Sequence, residues 1–212
     1  QTLYKTIQIV MIINHKRKFV FVCVPKTGST TLSKHFRQAD QLAIEKDWYA
    51  EKWHHPMSKI LAEYDVKDYY SFAYYRNPFD RLVSSWIEFT SEKGHLNTWS
   101  APLLKEFTTW ENFAKNFTTT TWANDIHFKP TTYYTHDNNK QIVTRIFKYD
   151  NWKEETEQLF KDIKLPMSTL SNKRWRQTNR EKNYREYYKD EKTIQTLSDF
   201  YQSDLNFFED SF

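Results

Sequence analysis

The sequence predicts an α/β fold with three layers, in which helices flank a central, largely parallel sheet. Residues 19–24, FVFVCV, are continuously apolar, which is typical of a strand that is covered on both faces in a parallel sheet. The stretch DYYSFAYY at 68–75 predicts a second central strand. A turn and a helical pattern follow each of them, and strands that alternate with helices indicate a parallel sheet.

The remaining elements follow in order. Two apolar strands flank the basic turn at 15–18, and the second of them is the strand at 19–24. Leu32 and Phe36, four residues apart, predict a helix after the first loop. A second helix is expected after Asn77, which can cap it, with Pro78 in its first turn. Further helices are predicted at 107–117, 152–163 and 190–201, and a third strand at 141–149.

Length and composition favour a single domain over residues 1–212. Aromatic residues make up 18% of the chain and only two residues are glycine, which excludes disordered and collagen-like classes. The only cysteine, Cys23, allows no disulfide within the chain. The apolar stretch at 7–13 is too short to span a membrane, so we expect a soluble, cytoplasmic protein without a membrane partner. A net charge of +4 suits an anionic ligand but not a dedicated nucleic-acid binder.

The segment PKTGSTT at 25–31 lies between the first central strand and its helix. Backbone N–H groups and the positive end of a helix meet at such a turn and form an anion site. Gly28 fits either a positive φ or a close approach that leaves no room for a Cβ. A nucleotide triphosphatase loop carries its lysine after the second glycine, whereas Lys26 precedes the only glycine here. An ordinary strand-to-helix turn with capping hydroxyls is the alternative.

Two segments resemble the sulfotransferases that use 3′-phosphoadenosine 5′-phosphosulfate (PAPS), whose fold is P-loop-like. PKTGSTT is similar to their 5′-phosphosulfate loop, and YYRNPFDRLVSSW at 74–86 is similar to their 3′-phosphate motif. The resemblance implies that Arg76 and Ser84 hold the 3′-phosphate. A surface ion pair of Arg76 and a helix-packing role of Ser84 are the alternatives. The resemblance also implies that the 5′-phosphosulfate is held by Lys26, Thr27, Gly28, Ser29, Thr30 and Thr31.

The resemblance extends to the segment KYDNW at 148–152, which is similar to a segment that carries a tyrosine near the adenine. Tyr149 is the candidate for that role, and an aromatic side chain buried at a strand end is the alternative. Thr31 stands where relatives often carry an aromatic residue that stacks on the adenine. Base stacking is therefore expected from Tyr149 or from a tryptophan.

A general base is expected in KWHHPMS at 52–58, which resembles a family segment with a histidine two residues before a proline. That register selects His54, with His55 as the alternative. Histidine suits the role because its ordinary pKa lies near neutrality. A metal site at the histidine pair is not expected, since no cysteine or carboxylate stands at ligand spacing.

The resemblance implies an enzyme that moves a sulfuryl group from PAPS to a hydroxyl of a carbohydrate or another small molecule, leaves 3′-phosphoadenosine 5′-phosphate (PAP) as product and needs no metal. The oligomeric state stays open. Two alternatives remain: a P-loop kinase that transfers phosphate, and a basic, aromatic-rich module that binds nucleic acid or glycan without catalysis.

Several other residues have expected roles. Arg81 is expected on a solvated helix face, paired with Asp80 or Glu88. Lys173 and Arg174 belong to a basic segment for which a solvated loop is preferred over a cofactor contact. Residues 94–125 match the family weakly and are expected to carry acceptor selectivity. Tryptophans that fit either sugar stacking or a core are Trp99, Trp110 and Trp122.

Overall fold

The computed structural model describes residues 11–39, 54–90, 101–167, 180 and 182–212. The chain divides into two compact units. The first comprises Gln1–Tyr75 and Tyr134–Arg176, and the second comprises Arg76–Tyr133 and Gln177–Phe212. The single-domain organisation over 1–212 stays a prediction.

The described part of the chain contains both strands and helices. The strands are β1 (Ile12–Asn14), β2 (Phe19–Phe21), β3 (Tyr70–Tyr75), β4 (His136–Asp137), β5 (Lys140–Gln141) and β6 (Arg145–Lys148). The α-helices are α1 (Ser29–Ala39), α2 (Met57–Glu63), α3 (Pro78–Thr90), α4 (Ala101–Glu106), α5 (Trp110–Asn116), α6 (Thr131–Thr135), α7 (Trp152–Asp162), α8 (Glu191–Phe200) and α9 (Gln202–Phe208). None of the helices in the described ranges is long and apolar enough to cross a membrane.

The first unit is built on a sheet with the strand order β1-β2-β3-β6. β2, β3 and β6 are parallel, and β1 pairs with β2 antiparallel at one edge. β2 and β3 are thus the central strands, as the sequence predicts. The predicted α/β fold with a largely parallel sheet is confirmed.

Both faces of this sheet are covered by helices. On one face, Phe21 and Phe72 stack with ring centroids 5.2 Å apart, and α1 and α7 contribute Phe36 and Phe160 to the same cluster. On the other face, α2 packs against the sheet through Met57 and Ile60, which cluster with Val20, Val22, Val24 and Ala73. Because every second strand residue faces the opposite layer, apolar side chains are required on both sides. This explains the continuous apolar run at 19–24.

The second unit packs helices around an aromatic core. Trp86 of α3 stacks on Phe113 of α5, with ring centroids 4.9 Å apart. Tyr188 donates its hydroxyl hydrogen to the carbonyl oxygen of Phe79 at 2.8 Å, which joins the C-terminal region to the start of α3. Thr109 and Asp190 cap α5 and α8 by accepting hydrogen bonds from backbone N–H groups, as side chains at helix N-termini do.

The predicted helices after the first loop, after Asn77 and at 107–117, 152–163 and 190–201 are all present, some with shorter bounds. The third strand is shorter than the predicted 141–149, because residues 140 and 141 pair instead with β4. Asn138 and Asn139 form that turn with φ of 48° and 62°, which asparagine tolerates better than most residues. Not predicted were α2, α4, α6 and α9. Residues 7–10 of the predicted first strand lie outside the described residues.

Candidate active site

The turn between β2 and α1 presents consecutive backbone donors. Among the hydrogen bonds of the described residues, none uses the N–H groups of Thr27, Gly28, Ser29 or Thr30. Lys26 and Gly28 have φ of 65° and 81°, and left-handed residues within a turn point successive N–H groups toward one place. The positive end of the 11-residue helix α1 adds to the same field. The turn can bind an anion such as a phosphate group.

Gly28 satisfies both reasons for a glycine at this position. Its φ of 81° is disfavoured for residues with a Cβ. A Cβ placed at Gly28 would also overlap the six-membered ring of Trp152, which lies against the Cα. The expectation that this turn needs its glycine therefore has two independent causes.

The hydroxyl groups of the turn have different partners. Thr27 is fully buried and donates its hydroxyl hydrogen to the carbonyl oxygen of Val24 at 2.8 Å, so that hydrogen braces the turn. Ser29 hydrogen-bonds the thiol of Cys23, and burial raises the pKa of that thiol to about 12. Thr31 is buried, whereas Thr30 is partly exposed at the start of α1. Because the hydroxyl hydrogen of Thr27 is already donated to Val24, Thr27 can offer a ligand its backbone N–H but not its hydroxyl hydrogen.

His54 is hydrogen-bonded to the extension of β2, residues 22–24, which leads into the turn. Its Nδ1 lies 2.8 Å from the carbonyl oxygen of Cys23. A carbonyl oxygen only accepts hydrogen bonds, so Nδ1 must carry a hydrogen and Nε2 is the basic nitrogen. The side chain is buried, with 8% of its surface exposed. His55 is buried as well, so burial does not distinguish the two histidines, but the described hydrogen bond to the strand belongs to His54.

Tyr149 lies just after β6, at the same end of the sheet as the turn, because β2 and β6 are both parallel to β3. It is partly exposed. Its ring makes an edge-to-face contact with Trp152, with centroids 5.5 Å apart. The first unit thus brings Tyr149 next to the tryptophan that contacts Gly28. Trp152 is not among the site residues predicted from the sequence.

In the second unit, Asp80 joins two arginines. Nε of Arg76 donates to Oδ2 of Asp80 at 2.7 Å, and Nη1 of Arg180 donates to Oδ1. Burial by itself raises the pKa of Asp80, but the two guanidinium groups outweigh it and hold that pKa below the ordinary value of 3.8. The cluster carries two positive charges and one negative charge. These three side chains taken together are therefore positive, and they are largely buried.

Ser84 lies four residues after Asp80 in α3, and residues with this spacing share one face of a helix. It is 2% exposed. Arg180 was not expected from the sequence, because nothing local links it to Asp80, from which it is 100 residues away.

Arg81 does not lie on a solvated face, and that prediction is wrong. Its side chain is 1% exposed, and Nη2 donates to the carbonyl oxygen of Lys129. The guanidinium carbon lies 6.0 Å from the ring centre of Tyr201. Most residues of α3 are buried, so the helix face that carries Arg81 does not reach water. Asp80 pairs with Arg76 and Arg180 instead.

Trp110 belongs to the core of the second unit and donates Nε1–H to the carbonyl oxygen of Tyr187 at 2.9 Å. Trp122 is partly exposed and donates to Glu106. Trp99, Lys173 and Arg174 lie outside the described residues. Within the described ranges, no group of three or more His, Cys, Asp or Glu side chains is placed to hold a metal ion.

A parallel strand that ends in a turn of unused N–H groups at a helix start is typical of α/β proteins that bind phosphate groups. The model of the sulfotransferase family matches residues 10–209, almost the whole chain. The chain belongs to the sulfotransferase family, and we conclude that it is an enzyme that transfers sulfate. No curated protein and no solved structure gives a significant match.

Proposed function

We propose that the protein transfers the sulfuryl group of PAPS to a hydroxyl of a carbohydrate or another small molecule. The observation that carries the proposal is the row of N–H groups from Thr27 to Thr30, next to Lys26, at the end of a central parallel strand. This row suits the 5′-phosphosulfate, because its donors and the helix dipole are oriented before an anion arrives.

When bound, PAPS supplies an electrophilic sulfur and a phosphate oxygen as leaving group. Lys26 would place its ammonium charge near that oxygen and stabilise the negative charge that grows as the sulfur–oxygen bond breaks. Its left-handed backbone belongs to the turn that presents the N–H groups. Lys26 is therefore proposed to act in binding and in turnover.

His54 is proposed as the general base. Its Nδ1 hydrogen is directed to the carbonyl oxygen of Cys23, which leaves Nε2 as the nitrogen that accepts a proton. Nε2 would take the proton of the acceptor hydroxyl while the hydroxyl oxygen bonds to sulfur. The proton stays on the imidazole, and the electron pair of the broken bond leaves with PAP.

Arg76 and Ser84 are proposed to hold the 3′-phosphate. Arg76 suits this role because a guanidinium group is always charged and presents planar donors that match a phosphate. Arg180, fixed to the other oxygen of Asp80, would add a second positive charge. Tyr149 is proposed to lie near the adenine.

The experiment compares ligands by thermal shift. PAP at 100 times its dissociation constant should add about 2.7 kcal/mol to the free energy of unfolding, and it should do so in the presence of EDTA. A shift with ATP and Mg²⁺ alone would favour the kinase alternative. Oligonucleotide binding that weakens steeply with salt, without a PAP effect, would favour the binding module.

A further inference from the structure

We propose that Trp152 is a positioning residue that holds the turn 25–28 in the conformation that binds the 5′-phosphate end of the nucleotide. The inference rests on the proposed function, because it concerns the same turn. Trp152 is the first residue of α7 and is far from the turn in sequence.

The contact between Trp152 and the turn leaves no gap. The six-membered ring of the indole lies where a Cβ of Gly28 would stand. The turn is strained, since Lys26 adopts a φ of 65° and a residue with a side chain keeps a left-handed conformation only where its surroundings hold it there. The indole is a neighbour that can do so, because it blocks movement of the backbone at Gly28.

Trp152 is itself anchored to the centre of the sheet. Its ring lies 5.0 Å from the ring of the fully buried Tyr74 in β3, measured between centroids. Thr156 donates its hydroxyl hydrogen to the carbonyl oxygen of Trp152 at 2.5 Å. Thr156 has only one hydroxyl hydrogen, so in its 3.0 Å contact with Tyr74 the tyrosine is the donor. This chain of hydrogen bonds fixes the start of α7 to β3.

Removal of the indole would leave an empty space beside Gly28 while the anchor in β3 stays intact. The turn could then relax toward ordinary backbone angles, and its N–H groups would no longer point to one place. A change at Trp152 should therefore weaken binding of a 5′-phosphate more than binding of a 3′-phosphate.

The test measures by calorimetry how the full chain binds PAP, adenosine 5′-monophosphate and adenosine 3′-monophosphate. Trp152→Ala should weaken binding of the first two ligands by about 10- to 100-fold, the loss expected when a hydrogen bond to a charged group is lost. Binding of adenosine 3′-monophosphate should stay near the wild-type value. Trp152→Phe keeps a ring at Gly28 and should recover most of the affinity, with Trp152→Leu in between. Trp122→Ala, which removes a partly exposed tryptophan of the second unit, is the matched control.

Fluorescence gives a second measurement. Adenosine 5′-monophosphate should change the tryptophan emission of the wild-type protein, and most of that change should be missing in Trp152→Phe.

If Trp152→Ala does not fold, the Phe and Leu variants decide the outcome. An equal loss for all three nucleotides would mean that Trp152 contacts the adenine or supports the fold, and would overturn the inference, as would unchanged affinities. If the wild-type protein binds none of the three, the proposed function fails and the inference fails with it.

Discussion

The imidazole of His54 is hydrogen-bonded through Nδ1 to the carbonyl oxygen of Cys23, 2.8 Å away. Cys23 lies on the extension of β2, two residues before Pro25, at which the proposed phosphate-binding turn begins. A backbone atom of the strand thus orients the proposed base.

His54→Ala should leave PAP affinity near the wild-type value, because the base acts on the acceptor hydroxyl. Sulfate transfer from labelled PAPS to a panel of sugars and alcohols should fall by about 10²- to 10⁴-fold, the usual loss for a general base. His55→Ala, the matched control, should keep most of the activity. The reverse pattern would assign the base to His55, and activity in both variants would place it elsewhere.

Lys26→Ala should impair both PAP binding and transfer, since the ammonium group is proposed to act on the bound nucleotide and on the leaving oxygen. Titration with PAP and the same transfer assay check this. Lys16→Ala removes the same charge as Lys26→Ala, but from the exposed turn before β2, and it should change neither PAP binding nor transfer. If Lys26→Ala binds PAP normally, the lysine acts in turnover but not in binding.

Arg76→Ala should weaken PAP binding by about 1.5 to 3 kcal/mol, the usual contribution of a hydrogen bond to a charged group. Ser84→Ala should cost less, because a hydroxyl is a neutral donor. Neither change should much affect adenosine 5′-monophosphate, which lacks the 3′-phosphate. Similar losses for both ligands would show that these residues act through the fold.

Asp80→Asn should lower the free energy of unfolding and make that free energy less dependent on pH in the acid range. The pKa of Asp80 lies below 3.8 in the folded state, so its stabilising effect is complete above about pH 5 and is lost as pH falls toward the folded-state pKa. Above pH 5 the loss should be about 3 kcal/mol, the lower end for a broken buried ion pair, because Arg180 is partly exposed.

Urea unfolding between pH 3 and 7 checks this prediction. Asp199→Asn, which makes the same change on an exposed face of α8, should keep the wild-type dependence on pH. A parallel pH dependence for Asp80→Asn and the wild type would contradict the assignment of the acid-sensitive group.

Local sequence patterns predict the elements that carry the proposed site. The apolar run before Lys26 and the capping pair Asn77 and Pro78 act over a few residues, and both lead to the expected strand, turn and helix. Contacts between distant segments could not be predicted in this way. Arg180 meets Asp80, and Trp152 meets Gly28, only because the chain folds back, and a single sequence carries no local signal for either pair.

Arg81 shows a different limit of sequence patterns. Helical periodicity assigns a polar residue to the solvent side when one face of the helix is apolar. α3 is covered on nearly all sides, however, and the carbonyl oxygen of Lys129 and the ring of Tyr201 surround the guanidinium group. The periodicity correctly predicts the helix but not the surroundings of each face.

The burial of Cys23 also makes the protein convenient for site-specific labelling. The chain has no other cysteine, and a thiol with 1% exposure and a pKa of about 12 forms almost no thiolate at neutral pH. Maleimide dyes and spin labels react with thiolates, so the native protein should be nearly inert toward them. A cysteine introduced at an exposed position would then be the single reactive thiol. Pairs of such cysteines could carry distance probes, and Cys23 would not have to be replaced first.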